Sequence, residues 1–215
     1  MRSLFLKLLF SIICCTLGLG AVGAVFLTRR LPSVDAPRIR IDDRYSVDIS
    51  LLETAAWERE LLARFGEEPL DSAAFDSDEC YRFILLPTFD RPLLVRVWRH
   101  NGRPYIVTKQ LGGVGGYGKP ALGKVAVEKV RPISEKEWQK VAFSIERSEF
   151  WYLPSHDPGD VPVIDGAFWY LEGSREGAIH TVGRITPSGQ LGATFDFLLK
   201  LSGTISEYKG YRDWE

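Results

Sequence analysis

Cysteine, histidine and methionine are scarce in this 215-residue chain, at three, three and one. Cys14 and Cys15 fall inside an apolar N-terminal run, which leaves Cys80 alone in the remainder. One cysteine cannot close an internal disulfide. Cys80 fits a small buried hydrophobe better than a nucleophile. Dense Lys/Arg runs are missing as well. Outside the first thirty residues stand 23 basic and 28 acidic side chains, a net charge of about −5. Phosphate-backbone binding needs a basic surface, so nucleic acid is not an expected partner. No G-x-S-x-G elbow, no H-E-x-x-H pair and no kinase H-R-D or D-F-G triplet occurs. No internal repeat is present.

What the chain does have is an ordinary globular composition, 45% apolar and 26% charged. It also has one long uncharged stretch. Leu8–Leu27 is twenty residues without a charge, preceded by Arg2 and Lys7 and followed by Arg29 and Arg30. At a rise of ~1.5 Å per residue such a helix spans a ~30 Å hydrocarbon core. The stretch fits an uncleaved anchor, a cleaved signal peptide with a small-residue site at 21–24, or a lipoprotein signal. A lipoprotein signal fits least, because Ser11-Ile12-Ile13 puts no small residue just before Cys14. The length exceeds a usual signal-peptide core of ~7–15 residues and favours the anchor. Both flanks are basic, and the expected orientation is N-terminus inside, domain outside. The expected location is therefore the cell membrane, single-pass, with an extracytoplasmic (periplasmic) domain. The alternative is secretion after cleavage.

Four segments follow from this pattern: an anchor at 1–30, a tether at 31–47, one domain at 48–205 and a tail at 206–215. The tether carries Pro32 and Pro37 among mixed charges. Ser50-Leu51-Leu52-Glu53 is a capping box opening a helix, and Gly66 is placed to end it. Strands are predicted over 81–89, 93–100, 105–111 and 123–131. Asn101-Gly102 marks a type I′ hairpin, where both residues take positive φ. Ser134-Glu135-Lys136-Glu137 is a second capping box, with Ile133 and Trp138 at staple positions. A second hairpin is predicted over 167–173 and 178–185, then a last helix from Pro187-Ser188 to Gly203. No βαβ alternation recurs. The expected fold is α+β: an antiparallel sheet of about six strands, a four-strand meander plus a hairpin, with three helices packed on one face.

The glycine-rich stretch Gly112–Gly118 spells both G-x-x-x-x-G-K and G-x-G-x-x-G. A phosphate loop needs Ser or Thr after the lysine and a helix beyond it. Pro120 and a predicted strand stand there instead, and a dinucleotide turn would also have to open a helix. A connection between strands fits better, and no cofactor is expected. Gly115, Gly116 and Tyr117 remain candidates for lining a ligand pocket. His156, Asp157, Asp160 and Asp165 carry oxygen and nitrogen donors without a calcium-loop order. His180 faces the strand of Trp169 and Glu172, so Asp165, Glu172 and His180 are candidates for acid–base work. A hydrogen-bonded structural histidine is the simpler role for His180. Asp165 and Trp169 share strand parity, and Glu172 has the other. Most of the six tryptophans suit core packing, while Trp98 and Trp214 suit surface contacts.

One set of motifs resembles a known group. Gly115-Gly116-Tyr117, Glu137-Trp138, Phe150-Trp151-Tyr152-Leu153-Pro154, Asp165-Gly166-x-x-Trp169-x-Leu171-Glu172-Gly173 and His180-x-Val182-x-Arg184 together look like an uncharacterised family of bacterial membrane-anchored or lipoprotein-like envelope proteins. The resemblance covers roughly residues 80–200 and implies an exported domain. It carries no activity. The expected function is a binding or interaction domain held at the membrane through residues 8–27, its partner a protein or small ligand at that surface. Its candidate binding residues are Gly115, Gly116, Tyr117, Asp165, Trp169 and His180. The alternatives are a small hydrolytic or transfer enzyme and a structural subunit of an envelope complex.

Overall fold

The computed structural model describes residues 55–72, 79–115, 121–157, 166–185, 187–208 and 210. The apolar run at 8–27, the tether, Asp165, Gly116, Tyr117 and Trp214 lie outside them. Among the described residues no helix is long and apolar enough to cross a membrane.

Six strands form one antiparallel sheet: β1 (Glu79–Pro87), β2 (Leu93–His100), β3 (Arg103–Leu111), β4 (Val125–Pro132), β5 (Ala167–Arg175) and β6 (Ala178–Arg184). Their spatial order is β4-β3-β2-β1-β5-β6. The first four strands are a meander, and the β5–β6 hairpin joins it along β1. Two tight turns set the register. Asn101 and Gly102 both hold positive φ, at 50° and 74°. Glu176 and Gly177 do the same at 52° and 77° and close the second hairpin. Such primed turns match the twist of the strands they join.

Among the described residues four α-helices accompany the sheet: α1 (Ala55–Phe65), α2 (Glu135–Arg147), α3 (Gly189–Ser202) and the short α4 (Ile205–Tyr208). At α2 the capping box is complete. Ser134 Oγ accepts from the Glu137 amide, and the Glu137 carboxylate accepts from the Ser134 amide at 2.7 Å. Gly66 and Gly203 end α1 and α3 at positive φ. Tyr208 is buried and donates from its hydroxyl to the Arg91 carbonyl, which pins α4 to the β1–β2 turn.

The helices do not share one face, contrary to the expectation from sequence. In β1, residues 81, 83 and 85 face α2 and α3, where Phe83 stacks on Phe195 and Tyr81 meets Trp138. Residues Ile84 and Leu86 face the other way, into a cluster with Leu61, Leu62 and Phe65 of α1. The physical reason is visible in β1 itself. All but its first residue are buried, and a strand buried on both sides needs a layer on each. The apolar stripe of α1 supplies the second layer.

The two sheet edges differ. β4 is mostly exposed and bears Glu128, Lys129, Arg131 and Pro132. β6 is closed by the segment after α2: the Gly183 amide donates to the Ser155 carbonyl, and Arg184 donates to the carbonyls of Pro154 and Ser155.

Candidate functional site

Of the residues proposed from sequence, Gly115, Trp169, Glu172 and His180 are described, and they lie in different surroundings. Trp169 is buried in the core under α3, stacked on Phe195 at 5.7 Å. His180 lies on that same side of the sheet. Its Nε2 is 3.0 Å from the Leu153 carbonyl, and its ring meets Phe150 edge-on at 5.0 Å. Burial holds its pKa below the usual histidine value. Gly115 lies against the end of β1, where a Cβ would come within 2.1 Å of the Pro87 carbonyl oxygen. Close backbone approach explains that glycine. The glycine-rich stretch begins as an extension of the β3–β4 hairpin. Gly112, Gly113 and Val114 spend their amides on the carbonyls of Lys124, Leu122 and Ala121, leaving none of the three for a phosphate.

Glu172 and His180 fall on opposite faces. Glu172 pairs with Thr181, and His180 pairs with Gly173. Adjacent strand positions point to opposite sides, so these two side chains cannot work on one substrate. Among the described residues no group of three His, Cys, Asp or Glu side chains is arranged to hold a metal.

A different constellation sits on the α1 face. Arg82 is wholly buried in the middle of β1, with Glu172 opposite it on β5 and Arg96 opposite it on β2. Two arginines facing each other across strands repel, and Glu67 resolves the conflict. Gly66 turns the chain out of α1 and delivers the Glu67 carboxylate between them. Its Oε2 is 2.8 Å from Arg96 Nε and 3.9 Å from Arg82 Nε, and its Oε1 is 2.7 Å from Lys109 Nζ. Lys109, buried on β3, also donates to the Phe65 carbonyl at 2.9 Å and to the Gly66 carbonyl. A cation at the C-terminal carbonyls of a helix interacts favourably with the helix dipole. Arg82 Nη2 donates to the Glu68 carbonyl at 2.7 Å. The C-terminal end of α1 is therefore fastened to the sheet by charge.

Where the N-terminal part of α1 crosses β1 and β5, a narrow crevice of about 10 Å³ remains between them, room for about one water. Trp57, Glu58, Leu61 and Leu62 form the helix wall. Ile84 and Leu86 of β1, with Phe168, Tyr170 and Glu172 of β5, form the floor. Polar groups converge at one end. The Tyr170 hydroxyl donates to Glu58 Oε1 at 2.5 Å. Burial pushes the Tyr170 phenol pKa up, and the nearby Glu172 and Glu58 carboxylates add to this. Glu172 is 8% exposed, with Oε2 3.2 Å from Arg82 Nη1. The geometry there is an ion pair without a hydrogen bond, so Oε2 is buried with no hydrogen-bond partner. Desolvation raises the Glu172 pKa to about 7, against the opposing pull of Arg82 and with help from Glu58, Glu67 and Asp71.

Sequence reasoning named Glu172 and missed Glu58, Glu67, Arg82, Lys109 and Tyr170 as members of this site. The available signal was a single charge in the middle of each of two apolar strands, Arg82 in β1 and Lys109 in β3. Cys80 sits on this face too, fully buried, its thiol pushed up to about 12 by that burial. A thiol so held is unreactive at neutral pH. No family model matches the chain, and no curated protein matches it.

Proposed function

We propose that this protein is a binding module held at the membrane surface, anchored through residues 8–27 with its domain on the extracytoplasmic side. The observation that carries the binding function is the cleft under α1. An apolar lining with a few polar groups converging at one end is that of a small-ligand site, and a ligand larger than a water enters this one only as α1 lifts from the sheet. Leu61, Leu62, Ile84 and Leu86 supply the apolar wall, and Glu58, Tyr170 and Glu172 supply the polar end. The anchor rests on the uncharged run and its basic flanks. The extracytoplasmic placement rests on the resemblance to envelope proteins.

A titration tests the cleft. The full chain in lipid nanodiscs, with labelled methyl groups, receives three probes of one shape: 2-phenylethanol, 2-phenylethylammonium and 3-phenylpropionate. At least one should shift the methyl signals of Leu61, Leu62, Ile84 and Leu86 saturably and leave those of Leu198 and Val141 in place. Three flat titrations at millimolar probe would overturn the binding function. For placement, C-terminal fusions to alkaline phosphatase and to green fluorescent protein are compared. Active phosphatase with a dark fluorescent fusion is the expected pair, and the reverse pair would put the domain in the cytoplasm.

A further inference from the structure

We infer that the tip of the β2–β3 hairpin is a site of spontaneous covalent modification: Asn101 closes a ring on the Gly102 amide, loses ammonia and takes up water to become aspartate or isoaspartate. The substrate is the chain itself and the co-reactant is water, so the modification is independent of the crevice under α1.

Asparagine is as scarce as methionine in this chain, with Asn101 the single copy in 215 residues. Asparagine is a thermolabile residue, and this one stands ahead of a glycine at an exposed turn. Three features of the turn favour ring closure. First, Gly102 is open. A Cβ there would meet nothing within 4 Å. Without a side chain, its backbone can swing the amide nitrogen onto Asn101 Cγ. Second, that amide is not spent. His100 and Arg103 close the hairpin as a pair, and among the described residues the Gly102 N–H donates to no backbone carbonyl. Third, Asn101 Nδ2 lies 2.9 Å from His100 Nε2. An amide nitrogen only donates, so the imidazole nitrogen accepts from it and stands beside the atom that must leave.

The Gly102 nitrogen bonds to Asn101 Cγ, and the Cγ–Nδ2 bond breaks. The proton that Gly102 gives up passes through His100 Nε2 to Asn101 Nδ2, which departs as ammonia. Water then opens the ring at either carbonyl. Attack at Cγ restores the ordinary chain with aspartate. Attack at the main-chain carbonyl leaves the chain running through Cγ, as isoaspartate. No electrons are transferred. Ammonia is exchanged for water, and the turn gains one negative charge between His100 and Arg103.

The two products act differently on the fold. Asp-Gly suits a type I′ turn as Asn-Gly does. Isoaspartate adds a methylene to the main chain of a two-residue turn, and the turn sets the hairpin register. The pairs nearest the tip, Arg99 with Pro104 and Trp98 with Tyr105, should loosen first.

Mass spectrometry tests this on the full chain in nanodiscs, held at neutral pH beside a synthetic peptide of residues 97–106. The wild-type mass should rise by about 1 Da in ordinary water and by about 3 Da in water labelled with heavy oxygen, one ammonia lost and one water gained. Digestion should map the gain to residue 101. Asn101→Asp keeps a favoured turn and has no nitrogen to lose, so its mass should stay constant. The aged wild type should exchange its Trp98 and Tyr105 amides faster, and Asn101→Asp should not. His100→Gln should slow the gain about tenfold, and an equal rate would overturn the route through His100. A folded chain that keeps its mass while the peptide converts fully would overturn the inference, and so would a gain that maps to a glutamine.

Discussion

Under α2 and α3, Phe83, Trp169 and Phe195 stack with ring centroids 5.1 to 5.9 Å apart, and Tyr81, Phe150 and Trp151 extend the aromatic layer. Under α1, the same strands present Arg82, Arg96, Lys109 and Glu172, and the layer closes over them only where Glu67 enters. Dispersion and area burial hold the first face. Such packing is dense and tolerates little change. The second face trades density for charge. Buried ion pairs rarely add much stability over apolar packing of equal volume, yet here they fix polar groups beside an apolar crevice. One sheet thus divides its labour: one side holds the fold, and the other keeps a cleft.

The largest effect that sharpens this contrast should come from Trp169→Ala. It removes the centre of the aromatic stack and should lower unfolding free energy by ~3–5 kcal/mol. Urea unfolding followed by circular dichroism reads it, and a loss below ~1 kcal/mol would mean that this face is not the main store of stability. Glu67→Gln comes next. It takes a charge partner from two buried cations, Arg82 and Lys109, and from the half-buried Arg96, a change that costs ~3–5 kcal/mol when a buried ion pair is broken, and less here because the amide oxygen still accepts. It should also loosen α1, seen as faster amide exchange at Leu61 to Phe65, whereas Trp169→Ala should act on the whole domain. Equal exchange changes in both variants would erase the distinction between the faces.

The faces should also titrate with opposite sign. Glu172 holds its proton to about pH 7 in the folded state, well above its ordinary value. A raised carboxyl pKa gives stability that is present at low pH and lost as pH rises between its unfolded and folded values, here on the order of 3 kcal/mol. His180 has a lowered pKa. Its contribution is present above its ordinary value of ~6.5 and is lost as pH falls below that. Unfolding midpoints from pH 4 to 8 should show Glu172→Gln removing a fall in stability as pH rises from 4.5 to about 7, and His180→Gln removing a loss as pH falls below ~6.5. The opposite assignment would overturn the two environments.

A smaller test uses two glycines. A Cβ on Gly173 would come within 2.7 Å of Phe150 Cε1 and 3.1 Å of Tyr81 Cδ1, while one on Gly183 would come within 2.6 Å of Phe168 Cζ. The nominal clash is similar. Phe150 and Tyr81 are locked in the aromatic layer, but Phe168 is half-buried at the cleft and can swing. Gly173→Ala should cost ~1–3 kcal/mol, and Gly183→Ala less than ~1 kcal/mol. A thermal melt of each variant checks this, and the reverse order would mean that the cleft side is the more rigid.

Much of the fold was legible because its signals are local. Asn101-Gly102 fixes a hairpin within two residues, and Ser134 with Glu137 fixes a helix start within four. Apolar β-type runs bounded by turn residues located all six strands to within two residues at each end. The placement of α1 was not legible, because alternation tells which residues share a face and not whether anything covers it. Arg82 and Arg96 alternate like solvent-facing residues, and Lys109 does too, until α1 lies across them. The candidate site suffered for the same reason. His180 and Glu172 are near in sequence and both titratable, yet the pleat sends them to separate layers. Glu58 and Glu67 belong to the site only through tertiary packing.

The ends of the sheet carry a consequence for crowding. One edge strand bears Glu128, Lys129 and Arg131 and ends in a proline, and the other has its Gly183 amide taken by the Ser155 carbonyl, with the Arg184 side chain holding that segment in place. Neither offers a bare template for a further strand. A domain gathered at high density can collide with its copies and still not grow into a continuous ribbon.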